Sequence, residues 1–527
     1  MPEKINYKKT AFSGLIWKFG ERIGAQLVST IVSIILARIL LPKDYGVVAL
    51  TTIFITIANV FVTSGFGSAL IQKKDADDLD YSSVFYTSLL VSTILYFGLF
   101  FASPFIANWF DEPLLSPILR VVGLQLPISA FSSVQGAYIS KNFLFRKFFL
   151  ATLAGTIISA GVGIAMAYMG YGPWALVAQH MTNLIIDRIV LFVTVKWRPK
   201  LCYSWKRTKK LFGYSWKLLG SGLLDVGYNE LRGIIIGKKY SSVDLAYYNK
   251  GKSLPSLVGD NLNGPINSVL FPVMAAEQED KTRVKHMTRR SIQTSCYLMF
   301  PLLAGLAVVA PVLVPVLFTA KWNECIPYMQ MMCFVYAFWP VHTANLQAIK
   351  ALGRSDLFLI LEILKKVLGI AILLATMWFG VFWIIFGSVI STVISSIINA
   401  FPNRKLLKYS WLEQMKDLLP YMGLTLLMGA PVYMMNYLHT FFGWNMYLVL
   451  VLQVVTGVVL YVGFSWVFRL EIFRYLLDTI KEFFKKRKTT KQSQTEADAI
   501  LDNKETIEIK TQDELIENIK NQEEGNE

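Results

Sequence analysis

Cysteine is nearly missing from this chain of 527 residues. The four present, Cys202, Cys296, Cys325 and Cys333, have no C-x-x-C spacing and lie in or beside apolar stretches. That pattern excludes a disulfide framework and a zinc site and leaves buried thiols as the reading. Nothing matches G-x-x-x-x-G-K-[ST], so no nucleotide engine resides in the chain and uphill work must draw on an ion gradient, the membrane potential or consumption of product. No small-residue cleavage site separates MPEKINYKK from the apolar run behind it, which reads as an uncleaved first helix rather than a signal peptide. Charged residues are also few, at 17%, and acids are the minority, 36 against 52 Lys and Arg, for a net charge of +16.

Apolar residues fill the space left by these absences. The chain is 54% hydrophobic with a mean hydropathy of +0.45, too apolar to be hidden in ordinary cores, so the bilayer must be its solvent. Unbroken apolar stretches such as 27–41 and 370–398 far exceed the roughly ten residues of a barrel strand, which leaves helices. Windows of about twenty residues predict about fourteen transmembrane helices: 10–40, 45–71, 82–109, 114–139, 147–169, 174–196, 211–237, 245–275, 290–319, 326–349, 356–379, 381–402, 416–437 and 444–468.

A basic excess of this size raises the question of nucleic acid, but that needs a contiguous basic face. Here the cations sit between apolar spans and sort by loop, which makes membrane lipids, and not nucleic acid, the expected surroundings. One set of alternate loops holds Lys4, Lys8, Lys9, Lys73, Lys74, Lys141, Arg146, Lys147 and the clusters at 196–210, 283–290, 404–408 and 485–488. The other set holds little beyond Lys43, Lys238, Lys239 and Lys321. The positive-inside rule then puts both termini in the cytoplasm. The loops on the other side are short and leave no room for a sizeable outer domain.

The sequence also repeats itself. Trp17 and Lys18 align with Trp216 and Lys217, Arg38 with Lys238, and Asp44 with Asp244; further on, Pro104, Phe110, Pro127 and Gln135 align with Pro311, Phe318, Pro340 and Gln347. Two matches in the same order, at an offset of about 200–212 residues, predict two parallel-oriented six-helix lobes around a central cavity. The expected units are 1–200 (N-lobe), 201–410 (C-lobe), 411–470 (two extra helices), 471–488 (an amphipathic interfacial helix) and 489–527 (an acidic, disordered cytoplasmic tail).

Function should show where polar groups sit in the spans, because a central charge costs at least ~2.5–3.5 kcal/mol and normally faces a cavity or a partner. Lys18, Arg22, Gln26, Ser29 and Ser33 form one stripe on the first span, with Glu21 beside it. Asn59 follows Thr52 and Thr56 on the second. Asp225, Asn229 and Arg232 share a face of the seventh span with Glu230 nearby. Ser253, Ser256, Asp260, Asn263 and Asn267 share a face of the eighth, with Lys250 closer to its outer end. These four helices would line a wet, cationic hollow. Alternatively Glu21, Asp225, Glu230 and Asp260 simply pair with Arg22, Arg232 or Lys250 and hold helices together. Asp187 with Arg188, and Glu362 with Lys365 and Lys366, lie toward cytoplasmic ends where snorkelling is cheap. His180 and His342 read as packing histidines. Gly259, Gly264 and Pro265 are expected to interrupt the eighth span, as Pro301, Pro311, Pro315 and Pro340 interrupt the next two, suiting a rocking bundle.

The opening SGLIWKFGERIGAQLVSTIVSIILARILLPKDYGVVALTTIF, the following GFGSALIQKKD, the later SWKLLGSGLLDVGYNELRGIIIGKKYSSVDLAYYNKG and NLQAIKALGRSD resemble the polysaccharide transporter family, Wzx-type, of the MOP flippase superfamily, over about residues 8–470. The resemblance implies a MOP/MATE-like fold and a non-enzymatic flippase of the bacterial inner membrane. Such a flippase turns undecaprenyl-diphosphate-linked oligosaccharide units outward for O-antigen, capsule, exopolysaccharide or teichuronic-type polymers, alongside a polymerase and assembly proteins. Lys18, Arg22, Gln26, Asn59, Asn229, Arg232 and Lys250 would contact the substrate, with the cations on the diphosphate. Glu21, Asp225, Glu230 or Asp260 would take a coupling Na⁺ or H⁺; no other cofactor and no metal are expected. Two competitors remain: an ion-coupled drug antiporter of the same superfamily, against which the Arg-containing stripes argue, and a glycan polymerase or ligase, against which the short outer loops argue.

Overall fold

The computed structural model describes residues 24–63, 66–73, 75–142, 144–195, 197–478 and 481–482. Every element longer than a turn is helical. In chain order they are α1 (Gly24–Ile39), α2 (Pro42–Thr63), α3 (Phe66–Gln72), α4 (Asp78–Phe110), α5 (Leu115–Gly123), α6 (Gln125–Lys141), α7 (Phe145–Tyr168), α8 (Pro173–Thr194), α9 (Trp205–Lys239), α10 (Ser242–Ala276), α11 (Lys281–Phe318), α12 (Ile326–Ala337), α13 (Trp339–Ala351), α14 (Ser355–Thr376), α15 (Val381–Leu406), α16 (Trp411–Met434), α17 (Asn436–Phe442) and α18 (Met446–Val467). Each expected window from 45–71 onward falls on one of these helices or on a pair separated by a short break, and α1 covers the part of the 10–40 window that lies within the described residues. Among the described residues, nine helices are long and apolar enough to cross a membrane by themselves; α9, α10 and α14 carry too much polarity to count on hydropathy alone. Residues from 458 onward form a separate unit, which contains the end of α18 and a helical stretch at 471–478.

The surface is apolar where a soluble protein's would be polar. On α4, Leu90, Ile94, Phe97, Phe101 and Phe105 are all at least half exposed and recur at three- and four-residue steps, so one whole face is built for lipid. The chain is a multi-pass membrane protein. Proline does not break α10 as its sequence predicts. The helix runs unbroken through Pro255, Pro265 and Pro272 because its neighbours hold it: Gly259 sits where a Cβ would come within 2.6 Å of the Tyr336 ring. Tertiary contact here overrides the local penalty.

Loops gather at two opposite ends. At the lysine-rich end, Arg207 bonds both carboxylate oxygens of Asp77 at 2.6 Å and reaches Asp80 at 3.5 Å, Lys200 pairs with Asp78 at 2.6 Å, and Lys73 pairs with Asp80. Asp77 is also the N-cap of α4 in a reciprocal capping box with Asp80. The Arg207 guanidinium and the Asp80 N–H hold its carboxyl well below the usual carboxylate range, and the Asp78 carboxylate raises Lys200. The segment entering α9 is thereby strapped to the start of α4. At the charge-poor end, the aligned residues Asp44 and Asp244 occupy the same place, the first turn of the second helix of each copy. There Asp44 accepts from the Leu41 N–H at 2.9 Å and Asp244 from the Ser241 hydroxyl at 2.6 Å.

Candidate functional site

The charge-poor end is sealed by contacts between α1 or α2 and elements more than 190 residues away. Arg38, near the end of α1, donates from Nε to the Leu317 carbonyl at 3.0 Å and also to that of Val316, two of the carbonyls that the end of α11 leaves without a helical partner. Lys321 returns a bond to the Arg38 carbonyl at 2.8 Å, and the fully buried Trp322 donates Nε1–H to the Ala37 carbonyl at 2.9 Å. Tyr45 and Tyr247 meet the Trp322 ring edge-on at 5.2 and 6.0 Å. Beside this plug, a Cβ at Gly46 would lie 2.1 Å from the Ser242 carbonyl oxygen; only glycine lets α2 and α10 cross so closely. One continuous apolar core runs through the seal from Leu50 and Ile118 to Leu245, Leu303 and Phe318.

Beneath the seal the helices part. A hollow of about 420 Å³ lies among α1, α2, α9 and α10, lined by Ser33, Thr52, Asn229, Glu230, Lys250 and Lys252 among others. A second, of about 340 Å³, lies between α1 and α10, with Gln26, Ser29, Ser33, Ser253, Ser256 and Asp260 on its walls. Ser33 and Ser253 line both. A third, of about 560 Å³, opens on the other flank of α1 against α7 and α8 and shares Gln26 and Ser29 with the second.

Lys250 is the most enclosed cation of the set, 5% exposed. Its ammonium lies 4.2 Å above the Phe318 ring, 5.1 Å from Tyr45 and 5.3 Å from Trp322, and donates to the Ser33 hydroxyl at 3.2 Å. Ring faces and a hydroxyl hold a cation without neutralising it, so the charge stays available to an anion entering from below. Asp260 is exposed to its hollow, near Tyr336 and Ser256 on the wall behind.

The sites expected from sequence divide. Gln26, Asn229, Glu230, Lys250 and Asp260 line the hollows. Asp225, Asn229 and Arg232 share one face of the unbroken α9 but meet different partners. Asp225 forms an ion pair with Lys366 of α14 at 3.1 Å, because Gly369 lets α14 close on Tyr228 of α9, three residues along from each partner. Arg232 lies beside the Tyr248 hydroxyl of α10, a residue that itself lines the 420 Å³ hollow. Asn59 is not among the residues lining any of the three hollows. Lys18, Glu21 and Arg22 lie outside the described residues. Asp187 pairs with Arg188 at 2.9 Å and Glu362 with Lys365 at 2.6 Å, as local neighbours. His342 is half-buried and meets Asn399 at 3.1 Å, whereas His180 bonds Gln125 at 2.5 Å and also edges the third hollow.

Sequence reasoning missed two sets of residues. Of the plug residues Arg38, Tyr45 and Trp322, the sequence singles out only Arg38, as the counterpart of Lys238. The α7 and α8 wall was passed over, although Thr152, Thr156 and Ser159, and then Gln179 and Asn183, recur at helical spacing inside apolar spans.

Comparison with known proteins agrees with this architecture. The chain is similar to the succinoglycan biosynthesis transport protein ExoT of Rhizobium meliloti (strain 1021), 23% identical over 325 residues, 62% of this chain and 66% of that one. It is also similar to the teichuronic acid biosynthesis protein TuaB of Bacillus subtilis (strain 168), 22% identical over 306 residues, 57% of this chain and 62% of that one. The matched stretch thus spans slightly under two thirds of either relative. The lipid II flippase MurJ, in an inward closed conformation, has the same fold, with a TM-score of 0.70 at 14% identity over 88% of this chain and 100% of that one. The model of a family described as polysaccharide biosynthesis protein matches residues 35–327, more than half of the chain and a stretch that carries the seal and the walls of both charged hollows other than those from α1, and to that family the chain belongs.

Proposed function

We propose that the chain is a flippase that carries a polyprenyl-diphosphate-linked oligosaccharide from the cytoplasmic to the outer leaflet of a bacterial inner membrane. Both termini are cytoplasmic in this reading, the lysine-rich end faces inward, and the two halves of the chain act as six-helix lobes that rock about the hollows. The observation that carries it is a fixed, caged cation, Lys250, at the top of polar hollows that are sealed toward the charge-poor end. A diphosphate needs such a charge in a place where lipid would refuse it, while the prenyl tail can stay in the bilayer. The names of the relatives, which refer to succinoglycan transport, teichuronic acid biosynthesis and lipid II flipping, support a glycan polymer pathway, with a polymerase and assembly proteins as partners. A coupling ion, Na⁺ or H⁺, has its best seat at Asp260 with Glu230 nearby; Asp225 is already held by Lys366.

The test uses the full-length chain in proteoliposomes with fluorescent undecaprenyl-diphosphate N-acetylglucosamine and an external quencher. The wild-type chain moves the lipid faster than protein-free vesicles, and Lys250→Met slows this about tenfold or more, a loss on the scale of one charge-assisted contact. Asp260→Asn removes only the part that responds to an imposed ion gradient. Wild-type movement no faster than in empty vesicles defeats the proposal.

A further inference from the structure

The hollow against α7 and α8 differs in kind from the other two. About 560 Å³ in volume, it is walled by Gln26 and Ser29 of α1, Thr156 and Ser159 of α7, and Gln179 and Asn183 of α8, with His180 at its edge; among the described residues, none that lines it carries a fixed charge. Its polar atoms are held firmly. Gly163 lets α7 approach until a Cβ there would be 2.8 Å from that of Gln179, and at Gly155 a Cβ would be 3.0 Å from the Asn183 carbonyl oxygen, so both amides stand on a tight helix pair. Asn183 donates to Ser159 at 3.3 Å and to Thr156 at 3.5 Å, which leaves its own amide oxygen free to accept. Among the described residues the side chains of Gln26, Ser29 and Gln179 have no hydrogen-bond partner.

Unpartnered amides and hydroxyls at membrane depth are costly unless water or a ligand meets them. Their geometry selects the ligand. Neutral groups that both donate and accept match the hydroxyls and amides of a sugar, offer nothing to a prenyl chain, and lack the cation that a phosphate requires. The volume lies within the roughly 300–1,000 Å³ of small-ligand sites. Gln26 and Ser29 are also walls of the hollow that holds Asp260, which in turn shares Ser33 and Ser253 with the one holding Lys250. A ligand with a charged end and a neutral polar end therefore finds both kinds of surface side by side across α1.

We infer that the hollow between α1, α7 and α8 is a sugar-binding subsite, which reads the glycan of the cargo while the α1, α2, α9 and α10 side holds its diphosphate. The inference rests on the flippase reading and assigns Gln179, Asn183, Thr156 and Ser159 as specificity residues.

The experiment measures binding of the full-length chain in nanodiscs to bare undecaprenyl diphosphate and to the same lipid bearing N-acetylglucosamine, galactose or rhamnose. At least one sugar is expected to tighten wild-type binding about tenfold, the scale of one or two hydrogen bonds. Gln179→Met, nearly isosteric, reduces that gain to about twofold or less and leaves affinity for the bare lipid unchanged; Thr156→Val does the same through an independent position, so one unstable variant does not decide the matter. A wild-type chain that binds the bare lipid but gains nothing from any sugar overturns this inference alone. Equal losses for bare and glycosylated lipid in both variants, or a sugar gain that survives both, overturn it as well. A chain that binds none of these lipids overturns the flippase reading and the subsite with it.

Discussion

Trp322 is fully buried in the seal and donates to the Ala37 carbonyl. Truncating a buried Trp costs ~3–5 kcal/mol. Where that cost falls on one conformation only, it shifts the balance of states by a factor of ten for every ~1.4 kcal/mol. A native reporter lies three residues away: Cys325 is buried, as are Cys296 and Cys333, while Cys202 lies at the lysine-rich end. In spheroplasts, Trp322→Ala is expected to raise the labelling rate of Cys325 by an impermeant maleimide about a hundredfold. An unchanged rate would mean that Trp322 packs the fold without holding it shut. At this scale the sequence was half legible. The stripes on α1 and α10 could be read because a polar residue at helical spacing in an apolar span announces itself. Arg38 and Trp322 could not, because a loop cation and an interfacial Trp look alike whether they touch lipid or lock two halves together.

Among elements, α4 and the segment entering α9 are joined both by apolar packing, with Tyr81 against the Trp197 ring at 5.8 Å, and by the ion pairs of Asp77, Asp78 and the buried Asp80. The sign of their pH response follows from the shifts. Asp77 is depressed in the folded state, so its contribution is present above its unfolded value, near pH 4, and is lost only as pH falls through the lower folded value. Lys200 is raised, so its contribution is complete below its unfolded value, near pH 10, and is lost as pH rises through the higher folded one. The strap is therefore constant across the neutral range. Asp77→Asn should lower Tm by about 1–2 °C, the scale of exposed pairs in a large protein, with the same gap from wild type at pH 6 and pH 8. A gap that widens within that interval would place another titrating group in the strap. Most helix positions were legible from hydropathy among the described residues, whereas the continuity of α10 through its prolines was not, since α10 there packs against Tyr336, 77 positions beyond Gly259.

For the whole molecule, alternation requires the seal of the charge-poor end to open. Arg38→Cys with Lys321→Cys, bridged by a short bismaleimide, should stop translocation in proteoliposomes while leaving lipid binding from the lysine-rich side intact. Continued turnover in the bridged protein would exclude a route through that end. A hollow among α1, α2, α9 and α10 was readable in sequence from their polar stripes; the separate hollow against α7 and α8 was not read. The seal has one more consequence. Arg38, Lys321 and Trp322 all fasten onto main-chain oxygens, with no carboxylate among the acceptors, so dissolved ions have little Coulomb attraction there to weaken. A cell moved from fresh water into brine would keep this door as firmly shut as before, and no single replacement of an accepting side chain could pick the lock.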